Sequence, residues 1–287
     1  MSRKLIREDT GSFRKVSYDK CDFVEYTFPR NTPEFANQVL RETLLDVHAI
    51  LQGNLIGIYL YGSLAMECFR PRTSDIDVLL VVKERLSKEL RKKIIEHLKS
   101  TCSKNRRIEL SIIRVNALQN PRYPMMLDLH FEYWGNVFEN KKDKEVLSNL
   151  YTTRKRGFRV WGESIDQLFS RIPAQYHLLS VIEDIEHAKG YLHEKPERIG
   201  YNVQVHWILS SCRILAFIRE EKVLSKLEGG NWGLAHLPRK YHSLIEQALS
   251  CYQEEKKESV WNSDELDAFA DYMTDTILRE SRLKKQG

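Results

Sequence analysis

Gly62-Ser63, Asp75, Asp77 and Glu109 have types and spacing that could do chemistry together. Gly62-Ser63 ends an apolar, aromatic run from Leu55 to Tyr61, and Asp75-Ile76-Asp77 opens a second run, Ile76 to Val82. Strand side chains alternate between faces, so Asp75 and Asp77 point one way while Ile76 and Val78 point the other. Two carboxylates about 7 Å apart along one strand face make an oxygen clamp suited to Mg²⁺. Gly62 lets the backbone approach a phosphate, and Ser63 offers a hydroxyl and an N–H to its oxygens. Glu109 is the single acid in a third apolar run, Ile108 to Ile113, where it shares a face with Ser111. A strand–helix–strand connection favours placing that run beside the Asp-x-Asp strand, which brings the third carboxylate to the same point.

The elements that must position these residues read as mixed α/β in the first half. Pro33 to Gln52 has helical apolar spacing, with Thr32 placed as N-cap and Pro33 in the first turn, and Gly53-Asn54 ends it. Glu84 to Ser100 returns to helical period between the second and third strands. After Pro173 the pattern is helical only, over about Tyr176–Glu194, Tyr201–Ile218, Pro238–Glu254 and Ser263–Lys284, with Gly229-Gly230-Asn231-Trp232-Gly233 reading as a loop. The expected fold is therefore an α/β mixed sheet followed by an all-α helical bundle. Its expected divisions are an N-terminal extension over 1–32, a catalytic domain over 33–172 and a helical domain over 173–287.

Composition bounds the function. The 287 residues are enough for a sizeable core, and 42% hydrophobic with 30% charged is ordinary for a globular chain. A net charge of +5 favours anions mildly and does not by itself imply nucleic acid, which is not an expected partner. The basic clusters Lys104-Asn105-Arg106-Arg107 and Arg154-Lys155-Arg156 read as solvated faces. No run is long enough to span a membrane, and no apolar stretch follows Arg3, Lys4 and Arg7, so no signal peptide is expected. Five scattered cysteines without C-x-x-C spacing point to reduced thiols and a cytoplasmic setting. The serine-hydrolase elbow G-x-S-x-G and the P-loop are both absent. His187 and His206 lie in helical stretches and read as packed or solvent-facing, and the tryptophans read first as core or interface residues.

Gly-Ser followed by Asp-x-Asp resembles the signature of the nucleotidyltransferase superfamily. The resemblance to bacterial aminoglycoside adenylyltransferases extends through Tyr61-Gly62-Ser63, Ser74 to Leu80, Glu109, Arg122-Tyr123-Pro124, Phe131 with Trp134, Trp161-Gly162 and Leu237-Pro238. It covers about residues 34–280 and implies Mg²⁺-dependent transfer of AMP from ATP to a hydroxyl of spectinomycin or streptomycin, conferring antibiotic resistance, by a protein expected to act as a monomer. It also implies that Asp75 and Asp77 hold metal and that Gly62, Ser63, Ser74 and Tyr272 lie near the nucleotide. Glu109 would serve as the base, with Trp134, Asn231 and Trp232 near the acceptor. Two positions depart from the pattern: Glu132-Tyr133 precedes Trp134 where the family has Gly-Glu, and Asn231 stands where it tends to carry an acid. An acid there would pair with a cationic drug, so Asn231 favours spectinomycin or a non-antibiotic acceptor over streptomycin. Two other readings stay open: a nucleotidyltransferase acting on tRNA or protein, and a catalytically idle binding protein on the same fold.

Overall fold

The computed structural model describes residues 24–103, 106–182, 185, 201–255 and 261–286. Residues 1–23 of the extension, Lys104-Asn105, His187 and the later part of the first C-terminal helix lie outside the described residues.

Strands β1 (Leu55–Tyr61), β2 (Ile76–Val82) and β3 (Ile108–Arg114) match the three apolar runs. Each is almost wholly buried, because both sheet faces are covered. Three more strands, β4 (Met125–Phe131), β5 (Val137–Asp143) and β6 (Phe158–Gly162), complete a six-stranded sheet of order β5-β4-β3-β2-β1-β6. Only β2 and β3 run parallel; the remaining pairs are antiparallel.

Two apolar clusters sandwich the sheet. On one face α1 (Glu34–Leu51) and α3 (Lys88–Thr101) pack through Leu40, Leu44, Ile94 and Leu98 onto Ile58, Val78 and Leu110. On the other, Tyr59, Tyr61 and Leu79 join a cluster that continues through α5 (Glu145–Arg156) into the C-terminal helices. The remaining helices in chain order are α2 (Gly62–Ala65), α4 (Val115–Gln119), α6 (Ile165–Leu168), α7 (174–182), α8 (Tyr201–Glu220), α9 (Lys226–His236), α10 (His242–Glu254) and α11 (Ser263–Gln286). The architecture is thus a mixed α/β sheet followed by an all-α bundle. Among the described residues no helix is long and apolar enough to cross a membrane.

Two local expectations are corrected. Thr32 does not cap α1: its hydroxyl donates to the Pro29 carbonyl at 2.7 Å, closing the turn before the helix, and Pro33 takes the N-cap position. Gly229 to Gly233 is not a loop but the middle of α9, started by a capping box in which Ser225 and Glu228 exchange bonds. The glycines are there for closeness. A Cβ on Gly230 would come within 2.5 Å of Leu249 and 2.8 Å of Leu209, and one on Gly233 within 2.8 Å of the Cys212 sulfur. Burial against α8 and α10 offsets the helix cost of glycine, about 1 kcal/mol each.

Enlarging Gly230 must therefore push α9 off its neighbours. We expect Gly230→Val to lower stability by about 2–3 kcal/mol, read as a lower urea midpoint.

Candidate active site

The cross-strand register puts Tyr61, Asp77 and Glu109 in one rank across β1, β2 and β3. Asp77 and Glu109 lie on the face turned to the helical half, the opposite face from Ile76, Val78 and Leu110. The parallel pairing that Glu109 depends on is present. Asp75 precedes β2 in the same alternation, and all three carboxylates line one cavity of about 660 Å³ between the sheet and the C-terminal helices. Gly62, Ser63 and Ser74 line it as well.

Gly62 is required twice over. Its φ is +64°, and a Cβ there would fall 2.0 Å from Oδ2 of Asp77. The glycine of the motif therefore makes room for the acid of the motif. Ser74 has a structural bond in addition to its place on the wall: its hydroxyl accepts the Arg70 N–H at 3.0 Å and closes the turn into Asp75.

Burial dominates the electrostatics, and like charge adds to it at Asp77 and Glu109. Burial, then Glu109 and Asp75, push the Asp77 carboxyl well above the usual range. Burial, then Asp75, Glu132 and Glu145, raise Glu109 to about 7. Asp75 is raised by burial, against the pull of Arg107, whose Nε lies 3.7 Å from its Oδ1. Arg107 therefore faces an acid instead of solvent, and Arg106 pairs with Glu42 at 3.2 Å. The second basic cluster is tied in too: Arg156 bonds Glu228 at 3.2 and 3.3 Å and the Val223 carbonyl at 2.9 Å, and Arg154 stands 3.6 Å from Asp166.

The opposite wall carries positive charge that no sequence motif marks. Lys226, at the start of α9, and Arg213, on α8, line the cavity. Burial and then Arg213 lower Lys226 to about 8, while Asp77 and Asp75 hold it up. His206 also opens onto the cavity, its imidazole pushed down chiefly by the Lys226 ammonium. Tyr252 joins them, its hydroxyl donating to the Cys68 carbonyl at 3.1 Å. One sequence signal was available: Arg213 is a cation in the middle of the apolar helix Tyr201–Glu220, whose other arginine, Arg219, lies in the last turn.

The residues chosen for the acceptor and nucleotide separate. Trp134, at the β4–β5 turn, is 55% exposed and lines the cavity. Asn231, Trp232 and Tyr272 do not. Trp232 is buried in α9, donating to Glu220 and stacked on His236 at 4.4 Å. Asn231 is exposed on that helix, and Tyr272 packs against Tyr241 at 5.0 Å.

The residues present fit Mg²⁺. Oδ1 of Asp75 is buried without a hydrogen-bond partner, beside a second carboxylate that burial and like charge destabilise. Among the described residues no three acidic, His or Cys side chains form a complete cage. Mg²⁺ is commonly held by one or two carboxylates, with water and substrate phosphates completing its octahedron.

Known proteins resemble both halves of the chain. Residues 40–117 match the nucleotidyltransferase domain family, and residues 167–276 match the aminoglycoside adenylyltransferase C-terminal domain family. The chain is 26% identical over 261 residues to spectinomycin 9-adenylyltransferase of Campylobacter jejuni, covering 86% of this chain and 97% of that protein. It is 24% identical over 253 residues to the aminoglycoside (3'')(9) adenylyltransferase of Klebsiella pneumoniae, covering 84% and 94%. The crystal structure of spectinomycin adenyltransferase AAD(9) from Enterococcus faecalis with ATP and spectinomycin shares the fold, with a TM-score of 0.70 at 20% identity. That match covers 86% of this chain and 99% of the other. The chain is a nucleotidyltransferase enzyme similar to the bacterial aminoglycoside adenylyltransferases.

His177 on the cavity wall makes stability depend on pH. Burial, then Arg213, lower its pKa from 6.5 to about 4, so unfolding takes up a proton between those values. This contribution is fully present above pH 6.5 and is lost as pH falls through 4. Urea titrations at pH 7 and 4.5 should differ by about 2–3 kcal/mol more in the wild type than in His177→Gln.

Proposed function

We propose that this nucleotidyltransferase transfers AMP from ATP to a hydroxyl of an aminocyclitol antibiotic, spectinomycin foremost, in the cytoplasm. The observation that carries the reading is the cavity itself: three carboxylates on one wall, Lys226 and Arg213 on the other, and space for an acceptor beside Trp134. The activities for which the relatives are named, and the ATP and spectinomycin in the solved structure of like fold, support the donor and the acceptor.

In this reading the half over 33–172 supplies the chemistry and the half over 173–287 closes the nucleotide site. Asp75 and Asp77 would hold Mg²⁺, which when bound neutralises charge on the phosphates and the departing pyrophosphate. Lys226 and Arg213 grip the polyphosphate oxygens from across the cavity, and Ser63 with the Gly62 backbone meets them from the sheet side. Glu109, with its pKa raised to about 7, takes the proton from the acceptor hydroxyl as that oxygen attacks the α-phosphorus. Pyrophosphate leaves with the electrons of the broken P–O bond. Trp134 packs against the acceptor ring.

With labelled ATP, Mg²⁺ and spectinomycin, the wild type should release pyrophosphate only when the drug is present; no release with any aminocyclitol or aminoglycoside overturns the reading. Glu109→Gln should cut kcat by about 10²–10⁴-fold while keeping ATP binding. Asp77→Asn separates stability from activity. The raised pKa of Asp77 means its contribution to stability is present at low pH and is lost as pH rises. Removing that charge should raise the melting temperature of the metal-free protein at pH 7 while abolishing turnover, as scanning calorimetry and the pyrophosphate assay would show.

A further inference from the structure

Helix α5 turns one narrow stripe to the cavity. Glu145, Ser148, Asn149 and Thr152, spaced i, i+3, i+4 and i+7, all line it, while Val146, Leu147, Leu150 and Tyr151 are buried on the helix's other side. The core does not need three uncharged polar side chains on that stripe.

Ser148 is held in place from outside its helix. Its hydroxyl meets Nδ1 of His177 at 2.8 Å instead of turning back on its own backbone. The imidazole is clamped by Tyr151, stacked at 5.0 Å, and by the edge of Phe217 at 4.4 Å. Ser180 on α7 and Trp207 on α8 line the same cavity. They are 2% and 3% exposed, and neither Oγ of Ser180 nor Nε1 of Trp207 has a hydrogen-bond partner. Buried donors left unpaired are costly, and a ligand oxygen would satisfy them.

We propose that the α5 stripe, together with Ser180 and Trp207, is the wall that selects the acceptor, and that Asn149 is a specificity-determining residue. The wall suits a polyhydroxylated ring bearing an amine. Ser148, Asn149 and Thr152 take hydroxyl or ether oxygens, and Glu145 takes the ammonium. Asn149 offers both a donor and an acceptor at the centre of the stripe, so it reads a hydroxyl in either role. A site built to bond a hydroxyl rejects analogues lacking it far more strongly than an apolar wall does. This assignment rests on the proposed function and adds to it the residues that choose among acceptors.

The test is steady-state pyrophosphate release by the full chain with ATP, Mg²⁺ and spectinomycin. Asn149→Leu should raise the acceptor KM about tenfold and Thr152→Val about fivefold, with the KM for ATP held within about twofold. Thr152→Val is nearly isosteric and decides the matter if Asn149→Leu does not fold. Acceptor KM values within about twofold of wild type in an active enzyme overturn the stripe and leave the proposed function standing. A wild type inert toward every aminocyclitol overturns both.

Discussion

Carboxylates on neighbouring strands of one sheet face repel each other across a gap that strand spacing fixes at about 4.8 Å. Asp77 and Glu109 are such a pair, with Asp75 one step along the strand, and the sheet does not let them separate. The opposite face explains why. Ile76, Val78, Leu80, Leu110 and Ile112 are buried against α1 and α3, so a slip of one residue would send all of them to the wrong side. Apolar burial thus sets the register, and the register concentrates the charge. Arg107 and Lys226 relieve part of that repulsion.

The positive wall is placed by a separate chain of contacts. Arg156 at the end of α5 grips Glu228, which is also half of the capping box that starts α9. Lys226 is the first residue of that helix, so a helix of the sheet half aims a cation of the bundle half. Tyr252 on α10 reaches the Cys68 carbonyl just beyond Gly62-Ser63, and Glu255 accepts the Arg72 N–H at 2.7 Å. The loop between the Gly-Ser and Asp-x-Asp motifs is therefore held from both halves.

Legibility in the sequence followed the strength of local signals. β1 and β2 read at their observed bounds because each is a short apolar run with sharp punctuation, Gly-Ser after one and Ser-Asp before the other. β5 did not read as a strand at all: Val137–Asp143 is half charged and sits at the sheet edge, where polar side chains are tolerated. The α9 glycines read as a loop because glycine usually breaks helices, and only the partners across the interface show why these do not. Site residues on the strands came together through alternation alone. Those in the bundle depend on how helices pack, which no local pattern encodes. Arg213 and Lys226 went unnoticed, while Asn231 and Tyr272, taken from the resemblance, do not line the cavity.

The strand order has a consequence for how the chain is made. β1 pairs with β2 on one side almost at once, but its other neighbour, β6, arrives only at Phe158 to Gly162. Until then a growing chain presents Leu55–Tyr61, seven apolar or aromatic-rich residues including Gly57, as an open template for any other strand. Such an edge invites association between nascent chains, and the wait lasts about 5–20 s at ordinary synthesis rates. The late, short strand β6 is what closes that edge of β1.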